Sequence, residues 1–163
     1  MKLIYFISAI VLFISCEEKE PQLGVLQGNA FGTTYTIQYF SSVARDANSE
    51  NFTIEKGVDS VIHAVNKSVS TYMPNSDISK INRGDKTVVV DDIFKEVFRI
   101  SETVYTNSHG YFDPTIGVLR NAYGFGDVKP IKSIDAAVLD SLMQFVGFNK
   151  VGISGDGTVK KER

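Results

Sequence analysis

The chain has 163 residues, 43% of them hydrophobic and 22% charged, with a formal net charge of −2. That length supports one domain with a core of its own and is short for two. The slightly acidic balance, without a basic run in the body of the chain, argues against nucleic acid as a partner. No internal repeat or low-complexity tract interrupts it.

The first residues are a different material. Lys2 supplies a positive charge, residues 3–14 form an apolar stretch too short to cross a bilayer comfortably, and the small Ser15 precedes Cys16. Residues 1–15 read as a signal peptide. Cys16 is the only cysteine, so no intrachain disulfide can form. Phe13-Ile14-Ser15-Cys16 resembles a bacterial lipoprotein box. The resemblance implies lipidation of Cys16, an anchor of several acyl chains, and a lipid-anchored membrane protein of the bacterial cell envelope. An ordinary secretory signal and a short buried segment are the alternatives. Residues 16–22 read as a polar tether, leaving 23–163 as the folded part.

Residues 23–40 favour strands, with Thr34 to Tyr39 rich in β-branched and aromatic side chains. Gly28 and Gly32 bracket a bulge or a tight bend. A polar loop over 41–51 gives way to a helix from Thr53, where Val58, Val61, Ile62, Val65 and Val69 make one apolar stripe. Pro74 confirms the break after it. Ser76 caps a short helical turn through Ile81, and Thr87 to Val90 reads as a short buried strand. Asp91 or Asp92 caps the next helix, whose inner face is Ile93, Phe94, Val97, Phe98, Ser101, Val104 and Tyr105.

Residues 108–126 follow, with four glycines, four aromatics and one acidic residue, Asp113, and no helical or strand period. Glycine lets a backbone approach a ligand, flat rings offer apolar faces, and a carboxylate accepts hydrogen bonds. Such a loop suits a planar, polar-edged ligand such as a nucleotide or flavin; by composition alone, an aromatic loop packed on its own core is the favoured reading. A third helix, capped by Ser133, turns Ala136, Leu139, Leu142, Met143 and Val146 inward and closes at Gly147. Residues 151–153 form a strand, 154–157 a hairpin turn, and Thr158-Val159 begin the return strand.

The order of residues carries more than their composition. Gly110-Tyr-Phe-Asp-Pro-Thr-Ile-Gly-Val-Leu119 with Tyr123-Gly-Phe-Gly126 resembles the G-A-F-D-x-T-x-G-P-L…W-G-F-G signature of the FAD:protein FMN transferases, the ApbE family. Gly28-Asn-Ala-Phe-Gly-Thr-Thr-Tyr-Thr-Ile37 is similar to that family's G-x-x-M-G-T-x-Y-x-I pair of strands. Ser70-Thr-Tyr-Met-Pro-Asn-Ser-Asp-Ile-Ser-Lys-Ile-Asn82 is similar to its S-T-Y-x-P-x-S-E-I-S-x-x-N block. The three blocks stand in family order and run from about Gly28 to Val151. The later D-x-G-x-x-A-K-G block does not follow, so the expectation is the amino-terminal part of a transferase.

The resemblance implies an α+β fold, a mixed β-sheet flanked by helices. It implies a reaction that splits FAD at its pyrophosphate, moves FMN to a threonine or serine hydroxyl of a target flavoprotein and releases AMP, with Mg²⁺ neutralising phosphate charge. The metal ligands of the family belong mostly to its carboxyl-terminal half. FAD-binding residues carried over by position are Phe31, Tyr72, Tyr111, Phe112 and Asp113, with Asn82 and Thr115 as weaker candidates. Phe31 replaces a methionine and Tyr111 a small residue. The residues themselves name no catalytic group: neither His63 nor His109 has a second histidine at ligand spacing, and no metal or nucleophile signature occurs. The rival readings are a non-catalytic FAD-binding lipoprotein and a surface lipoprotein without flavin affinity.

Overall fold

The computed structural model describes residues 22–41, 54–126 and 128–161. The chain divides into two units, Met1–Gly57 and Val58–Arg163. The expected signal peptide, Cys16 and nearly all of the tether lie outside the described residues.

The described part of the first unit is a hairpin and the start of the helix that follows it. Strands β1 (Gln22–Ala30) and β2 (Thr33–Ser41) pair antiparallel from Gln22–Ser41 to Ala30–Thr33. The connection is the dipeptide Phe31-Gly32, with φ of 54° and 80°. Positive φ at both positions matches the right-handed twist of the two strands. The bend expected around Gly28 to Gly32 is thus confined to two residues. Gly28 has a different task. It faces Tyr35, as Gly24 faces Tyr39, and the tyrosine ring lies across each glycine. A Cβ on Gly28 would stand 2.6 Å from the Tyr35 hydroxyl oxygen. Each ring covers backbone that a side chain would otherwise shield, a cross-strand aromatic–glycine pairing.

Helix α1 (Ile54–Val69) leads into the second unit and carries the expected apolar stripe, although Val61 is 63% exposed. It is followed by α2 (Asp77–Asn82), α3 (Asp92–Asn107), α4 (Gly117–Ala122), α5 (Ala136–Met143), a 3-10 turn at Phe148–Lys150, and strands β3 (Val151–Ile153) and β4 (Val159–Lys161). The core is Ile81 of α2, Val90, and Phe94 of α3, packed by Val69, Ile78, Val88, Phe98, Ile153 and Val159. One carboxylate organises its edge. Asp91 Oδ1 accepts both the Phe94 amide, as the N-cap of α3, and the Ser68 hydroxyl at 2.7 Å. The buried serines are paired: Ser76 and Ser79 donate to the Ser70 carbonyl, and Ser76 Oγ accepts the Ser79 amide. From β4, the Lys161 ammonium donates to the Ile81 carbonyl at 2.9 Å, and this burial lowers its pKa.

The α+β class agrees with the sequence reading. Among the described residues the strands form two antiparallel ladders, β1–β2 and β3–β4. Three local expectations are corrected. Thr87 to Val90 makes only a bridge, Val89 to Thr158, with Val90 N donating to Gly157 O; Val90 is buried but Val89 is 64% exposed. Helix α5 is capped by Asp135, whose Oδ1 takes the Val138 amide, because Ser133 lies too far upstream to reach the first free amides. No residue of α5 is buried, and it ends at Met143, before Val146. The inner face of α3 is also narrower than read. Phe94 is buried and Ile93, Phe98, Ser101 and Tyr105 are partly buried, whereas Val97 and Val104 are exposed.

Candidate functional site

The candidate site is the aromatic segment 108–126 after α3, which, against the expectation of no helical period, contains the short helix α4 (Gly117–Ala122). Its geometry begins with how α3 stops. Ser108 is the C-cap; the amide of His109 donates to Thr106 O and that of Gly110 to Tyr105 O, with φ of 52° and 83° at these two residues. This is a Schellman motif with a histidine in the left-handed position. Gly110 is therefore used to finish a helix. Gly124 does the same for α4: its amide reaches Asn121 O, that of Phe125 reaches Arg120 O, and φ is 86°. Half of the loop's glycines thus serve helix ends.

The chain is then pinned on both sides of the rings. Ser108 O accepts the Tyr111 amide, and Ser108 Oγ accepts the Phe112 amide at 3.0 Å while donating to Tyr105 O. Beyond the rings, Asp113 Oδ1 accepts both the amide (2.8 Å) and the hydroxyl (2.6 Å) of Thr115. Asp113 Oδ2 accepts the Phe148 amide at 3.1 Å, and Thr115 Oγ1 accepts the Gly147 amide at 2.7 Å. The Phe148 ring packs on Phe98 and Tyr105 of α3, at centroid distances of 4.9 and 5.5 Å. A fixed backbone thus carries two open rings: Tyr111 is 97% exposed and Phe112 is 42% exposed.

The other candidates are placed less closely. Tyr72 is 63% exposed in the segment after α1, its amide donating to Ser70 Oγ. Among the described residues no hydrogen bond or ring contact joins Tyr72 to the aromatic loop. Phe31, half-exposed at the hairpin tip, belongs to the first unit. Asn82 ends α2 and is exposed. Next to the loop, Ile116, Leu119, Arg120, Tyr123 and Phe125 line a shallow cavity of about 320 Å³. Among the described residues no group of three or more His, Cys, Asp or Glu side chains could hold a metal ion.

Sequence reasoning missed Ser108, Gly147 and Phe148, the loop's anchors. A partial signal was available. Asp-X-Thr occurs at 85–87, 113–115 and 156–158, and in each case one carboxylate oxygen takes the threonine amide and hydroxyl. That local turn is readable from side-chain chemistry; its long-range partners are not.

The block order, the loop and the α+β architecture all coincide with one family, whose profile matches residues 31–163. The chain belongs to the ApbE family. Among curated relatives of this ApbE protein, the FAD:protein FMN transferase of Haemophilus influenzae is 29% identical over 147 residues, covering 88% of this chain and 42% of that protein. The FAD:protein FMN transferase of Vibrio cholerae is 25% identical over 159 residues, covering 96% and 46%. Among solved structures, the flavin transferase ApbE from Vibrio cholerae superposes with a TM-score of 0.72 at 25% identity, covering 86% of this chain and 45% of that one. The apo form of Pseudomonas stutzeri flavinyl transferase ApbE has the same fold, with a TM-score of 0.73 at 23% identity. The chain spans less than half the length of the relatives it matches.

Proposed function

We propose that this ApbE-family chain supplies the flavin-recognising surface of an FAD:protein FMN transferase. In the complete reaction a threonine or serine oxygen of a target flavoprotein bonds to the FMN phosphorus, the pyrophosphate P–O bond breaks, AMP leaves with that electron pair, and the hydroxyl proton is lost. No step of this reaction is assigned to Mg²⁺ on the described residues. Their part is binding. Tyr111, Phe112 and Tyr72 offer ring faces to FAD, and Asp113 offers a carboxylate. Phe31 is a further flat contact on the strength of its sequence block alone. The observation that supports this reading best is the aromatic loop, whose backbone is held by hydrogen bonds at Ser108, Asp113 and Thr115 while Tyr111 stays open. A preorganised loop spends little ordering entropy when a ligand stacks on it.

The lipoprotein reading of Cys16 belongs to the same proposal and places the protein on a membrane of the bacterial envelope. Cys16→Ala yields a precursor that takes up no fatty-acid analogue, and equal labelling of wild type and variant would remove the anchor.

The binding test is a titration of the chain with FAD, followed by flavin fluorescence. Asp113→Ala weakens binding about 5- to 150-fold, the equivalent of 1–3 kcal/mol for a lost hydrogen-bonded carboxylate. Equal affinity in a folded Asp113→Ala variant would take Asp113 out of the site. Absence of FAD affinity in the wild-type chain would reject the flavin reading and favour a surface lipoprotein of another kind.

A further inference from the structure

We infer that Thr115 is a positioning residue that acts through Asp113, and that the pair fixes the orientation of the Asp113 carboxylate while leaving one acceptor position of Oδ2 for a ligand. The inference rests on the proposal that this loop meets FAD.

The three Asp-X-Thr turns make the comparison within one molecule. In each, the threonine amide and hydroxyl converge on one oxygen of the aspartate. At Asp85–Thr87 and Asp156–Thr158 the bonds are exposed and the matter ends there. At Asp113–Thr115 the same turn is tied to a distant segment. Thr115 Oγ1, while donating to Asp113, accepts the Gly147 amide 32 residues away, and Asp113 Oδ2 accepts the Phe148 amide 35 residues away.

The donor count decides the orientation. A threonine hydroxyl has one proton, and here it goes to Asp113 Oδ1 because the Gly147 N–H can only donate. An ionised carboxylate has about four acceptor positions. Two on Oδ1 are filled by Thr115 and one on Oδ2 by Phe148. One position on Oδ2 remains. Rotation of the carboxylate would give up the Thr115 and Phe148 bonds together. The remaining acceptor position is thus held in one orientation, on the residue that follows Tyr111 and Phe112 in the chain. A hydrogen-bond donor on a flat ligand, such as a flavin imide, a ring amino group or a ribose hydroxyl, has the chemistry to meet it.

The experiment uses the whole chain and two readouts. Amide hydrogen exchange reports the clasp without any ligand, and FAD titration reports the site. Thr115→Val, which keeps the shape and loses the hydroxyl, speeds exchange at Gly147 and Phe148 by roughly tenfold or more. Thr115→Ser, which keeps the hydroxyl, restores protection to about the wild-type level. Thr158→Val, the same change in an exposed turn, leaves Gly147 and Phe148 untouched. In the titration, Thr115→Val weakens FAD binding at least about fivefold, Thr115→Ser does not, and Thr115→Val has no further effect once Asp113 is alanine, as coupled residues require. Unchanged exchange at Gly147 and Phe148 in Thr115→Val overturns the inference. So does a Thr115→Val loss of affinity that persists undiminished in the Asp113→Ala background, since the threonine would then act on its own account. If the wild-type chain binds no FAD, the flavin reading fails, and the exchange result alone decides whether Thr115 positions Asp113.

Discussion

His109 sits at a left-handed backbone position, φ 52°, where the equivalent residues of α2 and α4 are Gly84 and Gly124. A side chain there crowds the carbonyl beside it, a cost that glycine avoids. His109→Gly should therefore raise stability by up to about 1 kcal/mol, offset in part by the freer unfolded chain. Gly124→Ala should lower it by a similar amount, and an alanine there would also meet Pro130 at 3.2 Å. Thermal unfolding of both variants checks the pair: opposite shifts in Tm are expected. Phe31 is the other non-glycine residue with positive φ among those described. For an aromatic side chain that conformation is rare.

At the scale of elements, the sequence was most readable where a single side chain decides an end. Ser76 and Asp91 cap the helices that their positions implied, and the stripe Val58 to Val69 lies on one helix. It was least readable where tertiary partners decide. Val97 and Val104 of α3 share a helical period with Phe94 and Phe98, and periodicity cannot tell which of them a neighbour covers. Thr87 to Val90 has strand chemistry, but only Val89 and Val90 meet the β3–β4 turn. At the candidate site, the order of residues singles out the loop and Asp113, whereas Gly147 and Phe148 are more than 30 residues away from it in sequence and carry no chemistry of their own.

The β3–β4 turn also has a readable pH response. The Thr158 amide, and then its hydroxyl, hold the Asp156 carboxyl below the usual carboxylate pKa. A folded pKa below the unfolded one stabilises the turn above the unfolded pKa and is lost as pH falls through the folded one. Below about pH 4, exchange at Thr158 N should accelerate relative to Val90 N, which donates to the Gly157 carbonyl instead. Equal acceleration at both would show that Asp156 does not govern the turn.

For the molecule as a whole, the chain spans less than half the length of the relatives it matches, and the reaction proposed above is that of the longer proteins. Neutralising a pyrophosphate is the largest electrostatic demand of the proposed reaction, and among the described residues no group of three or more His, Cys, Asp or Glu side chains could hold a metal ion. The chain by itself should therefore transfer no FMN to a threonine-bearing acceptor, with or without Mg²⁺, while a full-length relative does so. In-gel flavin fluorescence of the acceptor reads the outcome, and magnesium-dependent labelling by the chain alone would place the whole chemistry within it.

The bonds from Asp113 and Thr115 to Phe148 and Gly147 also impose a schedule during synthesis. They bridge 35 and 32 residues, and a ribosome adds about 5–20 residues per second. For roughly 2 to 7 s after Asp113 is made, the partners that fix it do not yet exist. Through that interval Tyr111 and Phe112 ride on a segment anchored only at Ser108, so the nascent chain carries its exposed rings before the bonds that fix the backbone beyond them can form.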